Sequence, residues 1–212
     1  MDTCRESVST FDRSAETYAG KYFALDLYDA YYREFCSHVA RHGAAVLDVA
    51  CGPGNVSAFL ARERPDLQVL GIDLAPNMVR LARTHVPSAT FLVHDCRSLS
   101  DLGRVFDGIA YAFGLNYLGE DDAARFFGSL GTVLTPDGVL YLSAMLGPTE
   151  RSGLQTTSSG EQVHVYYRPR QAVEQLIQGT GLEIVLADEL ASPASASEPT
   201  TDVVSIARRI VR

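Results

Sequence analysis

Three carboxylates recur along the first half of the chain at the downstream ends of short apolar runs. Asp48 lies within Ala44–Ala50, Asp73 closes Leu67–Asp73 and Asp95 closes Thr90–Asp95. Between the first two stands Cys51-Gly52-Pro53-Gly54, a turn whose glycines let backbone approach a ligand with no Cβ in the way. Asp73 follows Gly52 by 21 residues, a separation that suits an acid accepting both hydroxyls of a ribose. Glycines after a strand often serve only a tight turn, so this pair alone decides little. The acids add more, because a carboxylate buried in an apolar strand is costly without a partner. Converging on one rim, they form an acidic pocket suited to a ligand that carries positive charge.

Bringing strand ends to one rim requires parallel strands, and the pattern supplies them. Apolar runs at Ala44–Ala50, Leu67–Asp73, Thr90–Asp95, Phe106–Phe113 and Gly138–Leu146 alternate with helical spacing at Asn55–Arg64, Pro76–His85 and Asp121–Leu134. Such alternation predicts an α/β, doubly wound, Rossmann-like sheet with right-handed crossovers. Upstream, the aromatic-rich residues 1–41 predict two helices, Val8–Tyr22 and Asp26–Arg41, as a helical lid. Downstream, polar Gly147–Gln162 and the strand-like Val163–Tyr167 form an insertion over 147–167, read as a cap of one loop and one extra strand. A helix at Arg170–Gly179 and strands at Leu182–Leu190 and Asp202–Ile210 complete 168–212 as a helix and antiparallel hairpin. The expectation is a single domain over 1–212, with a core at 42–146. Its sheet has seven mostly parallel strands, the last one inserted antiparallel.

The segment Val46-Leu47-Asp48-Val49-Ala50-Cys51-Gly52-Pro53-Gly54 resembles the first motif of class I S-adenosylmethionine-dependent methyltransferases. The likeness continues through Gly71–Met78, His94-Asp95-Cys96 and Leu134–Gly138, and reaches from Phe11 to Ile210. It implies S-adenosylmethionine as cofactor, with Asp48 and Ala50, Cys51, Gly52 and Gly54 at the methionine end and Asp73 on the ribose. Leu74 and Met78 would flank the adenine, while the Asp95 side chain and Cys96 backbone would meet its polar edge. Ala112 and Phe113 would approach the methionine, and Tyr18, closing Phe11-Asp12-Arg13-Ser14-Ala15-Glu16-Thr17-Tyr18, would be a lid contact. Sulfonium and ammonium charges suit the acidic rim, whereas a dinucleotide pyrophosphate asks for helix N-terminal amides free of nearby carboxylates. Ser57 also stands where a dinucleotide fingerprint has its third glycine, which leaves an NAD-type oxidoreductase as the weaker reading.

Methyl transfer depends chiefly on aligning the acceptor and excluding water, and needs a base only for acceptors that stay protonated. No catalytic residue stands out. Acceptor contacts are expected among Asn116 and Tyr117, Glu150 and Arg151, and His164, Tyr166 and Tyr167, although edge-strand tyrosines and loop charges often serve only packing and solvation. The run Tyr111–Tyr117 lacks the Asn/Asp-Pro-Pro-Tyr/Phe motif of amino-methylating DNA enzymes, and no Pro-Cys nucleophile occurs. With a net charge of −8, these absences point away from nucleic acid. Tyr111 and Ala112 replace the carboxylates that hold magnesium in catechol-type enzymes, so no metal is expected. The four cysteines show no Cys-x-x-Cys pair, and no apolar run approaches a membrane span, which predicts a cytoplasmic protein without a membrane partner. The expected partner is a small-molecule acceptor, the expected state a monomer or homodimer. A non-enzymatic, cofactor-binding scaffold and transfer of a different group from the same cofactor are the alternatives.

Overall fold

The computed structural model describes residues 2–157, 160–196 and 198–209. The expected end of the last strand at Ile210, and parts of the cap and of the closing loop, lie outside the described residues.

The apolar runs form β1 (Ala45–Val49), β2 (Gln68–Asp73), β3 (Thr90–Val93), β4 (Phe106–Ala112) and β5 (Leu134–Leu146). β6 (Gly153–Thr156) and β7 (Gln162–Val165) follow, then β8 (Glu183–Ala191) and β9 (Thr201–Arg208). Seven strands make one sheet in the order β3-β2-β1-β4-β5-β9-β8. The first five run parallel, and β9 lies antiparallel to both neighbours. The order reverses beside β1, so the loops after β1 and β4 face the crevice where such sheets bind ligands.

β1 is buried along its whole length and feeds both faces of the sheet. Leu47 and Val49 pack with Phe126 and Phe127 of α6 (Glu120–Val133) and with Val173 and Ile177 of α7 (Arg170–Gln178). Val46 packs on the other face with Phe35 and Phe59, from α3 (Asp29–His38) and α4 (Asn55–Glu63). The remaining helices are α1 (Thr3–Arg13), α2 (Ala15–Tyr22) and α5 (Pro76–His85).

Among the boundaries that differ from the sequence expectation, α3 is shorter than Asp26–Arg41 and β3 stops at Val93, before Asp95, and three others have a local reason. The lid holds three helices, because the chain leaves helical geometry at Ser14 (φ −96°, ψ 11°). Ser14 turns its N–H and hydroxyl back onto the Thr10 carbonyl at 3.0 and 2.9 Å. The helix also starts earlier than Val8, since Asp2 accepts the Arg5 N–H at 3.1 Å as an N-cap. β5 begins at Leu134 instead of Gly138: Leu134 pairs with Phe106 and Val139 with Gly108, so residues 135–138 bulge out opposite Asp107.

The cap is a two-stranded hairpin, not a loop and one strand. Gly153–Thr156 pairs with Gln162–Val165, and the second strand stops before Tyr166, whose N–H donates to the Asn116 carbonyl at 2.7 Å. Lid and cap are stitched together. The Thr10 hydroxyl donates to the Gln162 carbonyl at 2.8 Å, the His164 N–H donates to the Ser7 hydroxyl at 3.0 Å, and Thr3 and Tyr166 hydroxyls meet at 2.8 Å. On the other side, Asp12 of α1 accepts the Asn77 N–H at the start of α5 at 2.6 Å. No helix among the described residues is long and apolar enough to cross a membrane.

Candidate active site

The turn after β1 is held open by backbone conformations that favour glycine. Gly52 and Gly54 adopt φ 53° and 92°, and Ala50 is drawn into the same region at φ 52°. Asp73 secures the turn from the neighbouring strand, accepting the Gly52 N–H on Oδ2 and the Ala75 N–H on Oδ1, both at 2.9 Å. Burial raises the Asp73 carboxyl above its ordinary value, against the opposing pull of those amides. Asp48 lies behind the turn, 1% exposed. Its Oδ2 accepts the Ser57 N–H at 3.0 Å and hydroxyl at 2.6 Å, while Oδ1 is buried without a partner. Burial pushes its pKa up to about 7, with the charge of Asp73 adding to the shift and the Ser57 bonds opposing it.

A first cavity of about 780 Å³, counted to its mouth, opens above this turn. Of the residues expected on the cofactor, Tyr18, Ala50, Gly52, Asp73, Leu74, Met78, Asp95 and Cys96 line it. Ala112 and Phe113 complete the expected wall. Asp48 and Gly54 line neither this cavity nor the adjoining second one and support the turn from behind, while Cys51 faces that second cavity. The Asp95 carboxylate is already engaged by Arg97, through the backbone N–H at 2.9 Å and the guanidinium at 2.7 Å. Burial opposes ionisation of Asp95, yet these bonds hold its carboxyl below the usual range. Arg97 reaches further, pairing with Asp2 of the lid and Asp122 of α6 at 3.1 Å each. The lid supplies three residues that the motif reading did not name, Cys4, Ser7 and Val8 of α1, which line the cavity beside Phe11 of the quoted motif.

The second cavity, about 900 Å³ to its mouth, adjoins the first. Tyr18, Ala50, Gly52, Ala112, Phe113 and Tyr117 line both. Its other walls carry Tyr22, Tyr28 and Tyr32 of the lid region, Met145 of β5 and Asp202 of β9. None of these five was singled out from the sequence. A signal for them existed, since Tyr18 and Tyr22, and likewise Tyr28 and Tyr32, are four apart and share a helix face, while Asp202 stands at the head of an apolar strand.

Tyr117 is the one expected acceptor contact that lines either cavity. Asn116 is buried as a clamp: its amide donates to the Met145 carbonyl at 2.9 Å and the Tyr166 carbonyl at 3.1 Å, and its Oδ1 accepts the Met145 N–H at 2.9 Å. Glu150 is exposed, and Arg151 lies 4.6 Å over the buried Tyr167 ring while pairing with Glu198. His164 faces Glu6 at 3.9 Å. Tyr166 holds Thr3. Glu150, Arg151, His164, Tyr166 and Tyr167 therefore stand in the cap and line neither cavity.

Residues 46–138, which span β1 to the start of β5, match the family model described as a methyltransferase domain. Over this stretch, a little under half of the chain, the sequence is similar to that family. The demethylmenaquinone methyltransferase of Thermotoga maritima is 32% identical over 106 residues, 50% of this chain and 45% of that protein. The trans-aconitate 2-methyltransferase of Methylobacterium radiotolerans is 31% identical over 153 residues, 71% of this chain and 56% of that protein. The chain thus spans about half the length of these curated relatives. Among solved structures, the Burkholderia thailandensis 1,6-didemethyltoxoflavin-N1-methyltransferase superposes with a TM-score of 0.70 at 19% identity, over 96% of this chain and 87% of that one. The chain therefore shares the fold of that structure, and its own sheet is seven-stranded and mostly parallel.

Proposed function

We propose that the chain transfers a methyl group from S-adenosylmethionine to a small-molecule acceptor. The observation that carries this reading is the partition of six residues shared by the two cavities, across which a cofactor in one and an acceptor in the other would meet. The similar proteins named above are methyltransferases by name, and the toxoflavin enzyme was solved with both its acceptor and S-adenosylhomocysteine bound.

The residues present fit the cofactor. Asp73 points into the first cavity with lone pairs to spare for ribose hydroxyls, and Asp48 acts from behind the turn, which it fixes through Ser57. When bound, the cofactor supplies an electrophilic methyl group on a sulfonium. The chain's own contribution is placement. Leu74 and Met78 offer apolar contact to the adenine, Asp95 and Cys96 stand at its edge, and Ala112 and Phe113 form the partition. Tyr18 and the helices of the lid exclude water from the reacting pair.

Isothermal titration of the purified protein with S-adenosylmethionine, S-adenosylhomocysteine and NAD tests the reading. Binding of the first two, weakened at least tenfold by Asp73→Ala, is the expected result. Failure of both to bind, or binding of NAD alone, overturns it.

A further inference from the structure

The second cavity carries a chemical preference that goes beyond methyl transfer and rests on that reading of the site. Six of its nineteen lining residues are aromatic. Tyr18 and Tyr22 stand 4.8 Å apart with rings tilted at 48°, and Tyr28 meets Phe113 edge-on at 5.1 Å. One ionisable acid reaches this aromatic surface, Asp202 on β9, and among the described lining residues there is no arginine, lysine or histidine.

Asp202 is built into the wall with care. It is 1% exposed, opposite Met145 in the β5–β9 register. Its Oδ2 accepts the Tyr28 phenol at 2.6 Å and its Oδ1 accepts the Thr200 hydroxyl at 3.0 Å. Each oxygen keeps a second lone pair, and the Tyr28 oxygen can itself accept. Burial raises the Asp202 carboxyl while Tyr28 and Thr200 favour its ionised form. Aromatic faces attract cations through their quadrupole, and a carboxylate beside them deepens that field. A ligand carboxylate would instead enter a site with like charge and no cation to meet it.

We infer that the second cavity takes a flat acceptor bearing an amine and no carboxylate, with an amine N–H seated on the Asp202–Tyr28 pair. A polycarboxylate, such as the acceptor in the name of the Methylobacterium relative, does not fit this lining.

The test is titration in saturating S-adenosylhomocysteine with three amine and acid pairs of matched ring: tryptamine and indole-3-acetate, tyramine and 4-hydroxyphenylacetate, phenethylamine and phenylacetate. At least one amine is expected to bind tenfold or more tightly than its acid. Asp202→Asn is expected to weaken that amine about tenfold and Tyr28→Phe about threefold, with S-adenosylhomocysteine affinity within twofold of the parent. Acids binding as tightly as amines, no amine binding beside intact S-adenosylhomocysteine binding, or an amine indifferent to Asp202→Asn overturns the inference. If S-adenosylhomocysteine itself fails to bind the parent protein, the methyl-transfer reading falls and takes this one with it.

Discussion

Asp48 and Ser57 form a buried pair in which one carboxylate oxygen takes both donors of the serine and the other takes none. The pair fastens the end of β1 to the first turn of α4, which fixes the intervening loop. Ser57→Ala removes the 2.6 Å hydroxyl bond and leaves the backbone one. Chemical denaturation is expected to find a loss of about 1–3 kcal/mol, the scale for stranding a buried polar partner. A change below about 0.5 kcal/mol, the range of a neutral surface substitution, contradicts the role given to the pair.

The raised pKa of Asp48 gives a pH dependence with a definite sign. The carboxyl ionises near its ordinary 3.8 in the unfolded chain and near 7 in the fold. Its contribution is full below the first value and is lost as pH rises toward the second. Between pH 5 and pH 8 the parent is expected to lose on the order of 2 kcal/mol relative to Asp48→Asn. The same titration makes S-adenosylmethionine affinity rise across pH 6 to 8 in the parent and stay flat in the variant. Parallel pH–stability curves for the two proteins count against this assignment.

Gly54→Ala tests the floor of the loop. The new Cβ would meet the Ala82 Cα and Cβ at 3.2 Å, on a backbone at φ 92°. Strain and crowding together are expected to cost about 1–3 kcal/mol by thermal melting. A variant as stable as the parent would place α5 farther from the turn than the structure has it.

Arg97 is expected to matter more than a surface arginine. It joins Asp95 at the cavity, Asp2 at the start of the lid and Asp122 of α6, with its own side chain 12% exposed. Arg97→Ala is expected to cost about 1–3 kcal/mol, because the partly buried Asp95 loses its guanidinium partner, while Asp2 keeps Arg5 and Asp122 keeps Arg125. Asp95, held low by Arg97, contributes stability that is present above its ordinary pKa and fades as pH falls through the depressed value. The variant's stability should accordingly fall less between pH 4 and pH 2 than the parent's. An unchanged acid profile argues against the pairing.

The double variant Ser7→Ala, Thr10→Ala cuts two stitches between α1 and β7. Stopped-flow release of S-adenosylhomocysteine is expected to quicken severalfold, with little change at β1. Equal release rates would mean that the lid opens without parting from the cap.

The parallel strands were legible because each is a short apolar run closed by glycine, proline or an acid, a pattern that helices and loops seldom produce. Asp73, Leu74 and Met78 were legible for the same reason, lying just past a strand end. The break at Ser14 was not, since a serine inside a helical pattern costs too little to announce a stop. β6 was hidden because its residues are polar and alternate half-exposed with exposed, with only β7 for a partner. Tyr22, Tyr28 and Asp202 were missed on more basic grounds. A tyrosine that lines a cavity has the same local signature as one that packs, and the distance from Tyr28 to Asp202 along the chain is closed only by the sheet.

The place of β9 has a consequence for the order of assembly. β8 touches the sheet through β9 alone, yet β8 is synthesised first. As the chain emerges, the parallel strands from β1 to β5 can pair while β8 waits with its backbone unmatched. Only the arrival of residues 201–208 lets it join, and the same arrival delivers Asp202 to Tyr28. The part of the molecule around the first cavity can thus mature ahead of the β9 wall of the second, and a nascent chain stalled before β9 would present the first without that wall.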